Sequence, residues 1–207
     1  MMLKEIYILR HGETDLNKQG IVQGSGVDAG LNATGFQQAQ AFFNYYQDID
    51  FEVVMTSTLK RTHQTVAPFL NLNIPWEQFP EINEIGWGIH EGRLNEAALH
   101  EEYLAVARAW QAGNFDAKVE GGESAAELSS RHVRFVEALK NRQEKTILVC
   151  SHGRAMRCLM CILKGWHLGD MERVNHANTG LYKVLWSGKR FVFELENDLR
   201  HLGTVNK

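Results

Sequence analysis

Two histidines and two arginines follow runs that read as β-strands, and together they could hold and attack a phosphate. Arg10 and His11 come directly after the apolar run Glu5 to Leu9. Arg61 lies a few residues beyond the run Phe51 to Met55, and Ser151 and His152 follow the nearly all-apolar run Thr146 to Cys150. A neutral imidazole nitrogen can act as a nucleophile. A guanidinium offers a planar fork of donors that matches phosphate oxygens. A carboxyl group is the third requirement, giving a proton to a leaving alkoxide and later taking one from water. Glu84 stands in a glycine-containing loop. Glu91 lies in a similar loop and Glu13 is close to His11, so residue types alone leave the choice open.

These groups can act together only if the strands that deliver them run parallel. In open α/β sheets, ligands bind beyond the carboxyl ends of strands, near the starts of the following helices. The chain alternates accordingly. Asn32 reads as the N-cap of a helix through Gln37, Ala41 and Tyr45. Ser57 reads as the cap of a helix carrying Leu59, Arg61 and Val66, with Pro68 bending or ending it. Asp15 to Gly30 has no periodic pattern and reads as loop, as does Glu84 to Gly92; Trp76 to Phe79 reads as a short strand. Further helices are predicted from about Asn95 to Gln111, from Gly121 to about Asn141, and from Gly153 to Leu163. Gly180 to Trp186 and Arg190 to Glu196 read as a hairpin joined at Ser187-Gly188-Lys189. The fold class predicted is α/β, a three-layer sandwich with a mainly parallel central sheet and helices on both faces. At 207 residues, one compact domain spanning 1–207 is expected.

The bulk composition narrows the partners. A net charge of -3 gives no general reason to expect nucleic acid or an anionic membrane, so any anionic substrate must be held by a local basic cluster. Cys150, Cys158 and Cys161 cannot build a disulfide framework. The Cys158–Cys161 spacing could serve a metal or a redox pair, but reads more simply as small apolar residues on a buried helix face. The amino terminus lacks a basic segment, a long apolar stretch and a cleavage site, and no run reaches the length of a membrane span. A cytoplasmic protein is expected, with a homodimer left open.

Leu9-Arg10-His11-Gly12-Glu13-Thr14 resembles the signature of the histidine phosphatase superfamily, the phosphoglycerate mutase-like proteins. The resemblance continues in order: Leu31-Asn32 with Gly35 and Gln38-Ala39, then Ser57 to Thr65, then Asn83-Glu84-Ile85 with Gly88 and Glu91-Gly92. Gly122-Glu123-Ser124 and Val149 to Gly153 complete it, so it covers about Ile6 to Asn178. It implies a phosphoglycerate mutase-like fold and a hydrolase acting on a small phosphorylated metabolite. His11 would form a phosphohistidine, and Arg10, Arg61 and His152 would donate to the equatorial oxygens in place of a metal. Glu84 would be the proton donor, Asn17 a donor to the same phosphate, and Gly153 a backbone donor at a helix start. No metal and no cofactor are implied. A carboxyl beside a bound phosphate is favoured in its neutral form, because like charges repel.

The same resemblance covers mutases, which must hold a second anionic group and shield the phosphoenzyme from water. The segment Glu91 to Glu144 carries Arg93, Arg108 and Lys118 but also Glu96, Glu101, Glu102, Asp116 and Glu120, so it is no strong anion clamp. Hydrolysis is therefore favoured over phosphoglycerate mutase-type transfer. A non-catalytic phosphate-binding protein would lack the nucleophile or the acid, and neither is missing. Arg154 either reaches a second substrate charge or points away along its helix. Trp87 and His90 are candidates for the pocket wall, while His63, His100 and His132 read as surface or structural.

Overall fold

The computed structural model describes residues 3–94 and 96–204. Apolar, β-branched runs form the strands β1 (Lys4–Arg10), β2 (Val53–Thr56), β3 (Trp76–Gln78), β4 (Thr146–Ser151), β5 (Leu181–Trp186) and β6 (Phe191–Asp198). They make one sheet in the order β3-β2-β4-β1-β5-β6. The first four strands are mutually parallel, while β5 runs antiparallel to β1 and forms the expected hairpin with β6.

The helices are α1 (Asp15–Gln19), α2 (Ala33–Tyr46), α3 (Lys60–Leu70), α4 (Ala97–Gln111), α5 (Ala125–Lys140) and α6 (Gly153–Lys164). Because side chains alternate across a strand, β1 serves two cores. Ile6 and Ile8 pack with Met55, Val149 and residues of α5 and α6, such as Leu128 and Leu159. Tyr7 and Leu9 pack on the other face with Val54 and Leu148, against Phe42 of α2 and Phe69 of α3. The result is the three-layer α/β sandwich that the alternation of patterns predicts.

Two local expectations are corrected, on the 15–30 loop and on the cap of α3. Part of the predicted 15–30 loop is helical, because Thr14 and Asn17 cap α1 reciprocally and Gly20 closes it in the left-handed region at φ 69°. Ser57 is not the cap of α3; Leu59 holds that position, and the Lys60 N–H finds its acceptor on Asp28 Oδ1 at 2.7 Å. Of the two alternatives at Pro68, bending or ending, the helix does not end there but continues to Leu70. The start at Asn95 lies outside the described residues; α4 is helical from Ala97. No helix among the described residues is long and apolar enough to cross a membrane.

Candidate active site

Sheet register brings the two histidines together. Arg10 at the end of β1 lies opposite Ser151 at the end of β4, so the residues that follow emerge side by side. The rings of His11 and His152 have centroids 5.2 Å apart. The Gly12 carbonyl can only accept, so His11 Nδ1 carries the proton and donates to it at 2.7 Å. The lone pair is thereby left on Nε2. Burial, joined by the positive charges of Arg10 and Arg61, holds the His11 imidazole well below the ordinary histidine range. The tautomer depends on a close approach of the β1 loop to α2: a Cβ on Gly12 would lie 2.6 Å from the Gly35 carbonyl oxygen.

Both arginines reach the same cavity as His11, a space of about 370 Å³. Arg10 donates through NH1 to the His176 carbonyl at 2.9 Å, while its Nε is buried without a partner among the described residues. Arg61, fully buried, donates to the Val27 and Gly24 carbonyls at 2.7 and 3.3 Å and through Nε to His152 Nδ1 at 3.1 Å. Since His152 Nδ1 accepts, its neutral ring carries the proton on Nε2, which meets Ser57 Oγ at 2.7 Å. Here the arrangement departs from expectation. His152 is not on the cavity wall, and both its ring nitrogens are engaged in holding Arg61 and Ser57. Gly153 likewise opens α6 behind the wall, in van der Waals reach of Arg10 and His176.

Glu84 is separated from its rivals by position. Its carboxylate lines the cavity and accepts three backbone N–H groups: Ile85 at 3.0 Å, Ala155 at 2.9 Å and Arg154 at 3.1 Å. Two of these open α6, so the acid doubles as a remote cap for that helix. Arg131 clasps the same loop, donating to the carbonyls of Glu81, Asn83 and Glu84 while paired with Glu123. Glu91 turns instead to the Trp87 N–H, against Gly24 and Gly26, and Glu13 accepts from Asn32.

Asn17 lines the cavity, with its Oδ1 occupied by Thr14 N–H and Asn178 Nδ2, leaving its Nδ2 group able to donate to a ligand. Trp87 and His90 are on the wall as expected, and the Arg154 side chain faces the cavity, although Glu172 already holds it. Sequence reading missed Tyr103, Arg157 and His176, and placed His100 elsewhere, yet all four line the cavity. Two spacings could have found some of them: Arg154 and Arg157, and His100 and Tyr103, stand three apart on their helices and so share a face. His176 follows no recognisable pattern.

Histidine burial has a consequence for stability. His132 is not at the surface; it is fully buried, and burial pushes it down to about 3, with its Nδ1 donating to the Leu128 carbonyl. Burial likewise lowers His176 to about 3 and His201 to about 4. The unfolded chain binds protons on these groups below about 6.5, while the folded chain does not. Stability is therefore fully present above pH 6.5 and falls as pH drops toward 4, at up to about 1.4 kcal/mol per pH unit for each fully buried neutral histidine. Melting temperatures measured between pH 7 and 4.5 should fall steadily; a flat profile would refute the neutral assignment.

A family profile described as "Histidine phosphatase superfamily (branch 1)" matches residues 6–199. The chain belongs to this superfamily. Among its members, the protein named probable phosphoglycerate mutase GpmB of Salmonella choleraesuis is 29% identical over 207 residues, covering 96% of this chain and 94% of the relative. The alpha-ribazole phosphatase of Shigella flexneri superposes with a TM-score of 0.83 at 27% identity, covering 94% of this chain and 96% of its own. YhfR of Bacillus stearothermophilus gives 0.84 at 26%, with 96% and 99% covered. The phosphoglycerate mutase-like fold expected from the signature segments is thus the fold of the superfamily. Both mutase and phosphatase names occur among relatives similar over nearly the whole chain.

Proposed function

We propose that this protein is a phosphatase that moves the phosphoryl group of a small phosphorylated metabolite to His11 Nε2 and then to water, without a metal. The observation that carries the reading is a neutral imidazole whose lone pair stands in a cavity lined by Arg10, Arg61 and Glu84. In the first step Nε2 bonds to phosphorus, the ester P–O bond breaks, and protonated Glu84 gives its proton to the departing oxygen. In the second, water attacks phosphorus, Glu84 takes the proton, and His11 leaves as a neutral ring. Arg10 and Arg61 supply charge to the equatorial oxygens, with Asn17 as a further donor. His152 acts through Arg61, which it holds from behind. A mutase would need a cradle for a second anion, and Arg154 and Arg157, the cations that could form one, already share Glu172.

The test is phosphate release from a panel of phosphorylated metabolites in excess EDTA. A parallel incubation with 3-phosphoglycerate and a bisphosphoglycerate would reveal isomerised product. Hydrolysis that survives the chelator, with an acid-labile, base-stable phosphoenzyme, is the expected result. Loss of activity on chelation would refute the metal-free scheme, and isomerisation without net release would favour the mutase. Because His11 is neutral throughout the neutral range, kcat/KM should show no acid inflection near pH 6.5.

A further inference from the structure

Beyond the phosphate end of the cavity stands a second cationic centre, two guanidiniums that already share one carboxylate. Arg154, 7% exposed, donates through NH1 to Glu172 Oε1 at 2.5 Å, and Arg157 binds the other carboxylate oxygen. Tyr103 OH accepts from Arg154 and donates to Glu172 at 3.3 Å. The Arg154 guanidinium is also packed 5.3 Å from the Tyr103 ring and 5.6 Å from the Trp110 ring. Each oxygen of Glu172 thus takes one guanidinium, as a substrate carboxylate would. Burial disfavours the charged form of Glu172, but Arg154 and Arg157 more than offset it and hold the group below the ordinary carboxylate range.

We propose that Glu172 sets specificity from behind the cavity wall, by engaging the two wall cations, Arg154 and Arg157, that would otherwise hold a second substrate anion, so that phosphomonoesters with an uncharged remainder are preferred. This inference rests on the phosphatase reading above. A substrate carboxylate would have to compete with Glu172 for the two guanidiniums, a free-energy cost that a neutral group does not meet. The rest of the wall suits an uncharged, flat remainder. Trp87 and Tyr103 meet edge to face at 5.5 Å, and Ile21 and Val22 line the same space. Arg157 Nε, buried and unpartnered among the described residues, is left to donate to an acceptor on the substrate.

A matched pair of esters tests this: phenyl phosphate and 4-carboxyphenyl phosphate, which differ by one carboxylate. The wild-type enzyme should favour phenyl phosphate by about tenfold or more in kcat/KM, and Glu172→Gln should bring the ratio to about one by raising the rate on the carboxylated ester. Arg157→Gln removes a cation while keeping Glu172, so it should widen the preference. A wild-type ratio near one, or a ratio unmoved by Glu172→Gln in a protein still inhibited by inorganic phosphate, would overturn the proposal. The same esters bound to the His11→Ala protein, with and without Glu172→Gln, give the ratio without turnover. Loss of all hydrolysis would then count against the phosphatase reading, while the binding ratio still decides the role of Glu172.

Discussion

His11→Ala should lower kcat by about four orders of magnitude or more, while phosphate esters still bind. Alanine has no lone pair to form the phosphoenzyme, and the remaining groups can only position water poorly against phosphorus. Binding survives because the ring it replaces is uncharged: Arg10 and Arg61 still face the cavity, and no cation is lost. His11→Asn is the sharper variant. Its side-chain amide can still donate to the Gly12 carbonyl that receives His11 Nδ1–H, so local structure is kept while the nucleophile is removed. Single-turnover kinetics and alkaline quenching should find no phosphoenzyme in either variant. Rates comparable to wild type would exclude His11 as the nucleophile.

Much of this site was legible because backbone rules place it. An apolar strand followed at once by Arg10 and His11, and another by Ser151 and His152, needs only parallel pairing to bring the pairs together, and the β1–β4 register supplies that. What stayed illegible depends on contacts between distant segments. Glu84 and Glu91 have similar loop neighbours; they differ because the N–H groups of Arg154 and Ala155, some seventy residues away, take the Glu84 carboxylate. His152 was expected at the phosphate, but the ring is held one layer back by Arg61 and Ser57. The short helix α1 was read as loop because its stability comes from a reciprocal cap rather than from an apolar periodicity.

Arg61→Met should reduce kcat/KM by about a thousandfold, the scale of removing a preorganised donor to transition-state charge. Two effects combine. The guanidinium is a fork anchored on Val27, Gly24 and His152, so its remaining donors are held in place before a phosphate arrives. Its charge also depresses His11, after burial and Arg10. Removing that charge raises the His11 pKa, so a larger share of the nucleophile is protonated at any acidic pH. An acid limb should therefore rise toward the neutral range in the kcat/KM profile of Arg61→Met, where none is expected near 6.5 for wild type. Arg61→Lys separates the two effects: it keeps a charge but loses the fork, so the limb should stay low while the rate remains depressed. If the rate falls in Arg61→Met but the acid limb does not move, then the charge of Arg61 does not reach His11, and burial with Arg10 alone keeps the ring neutral.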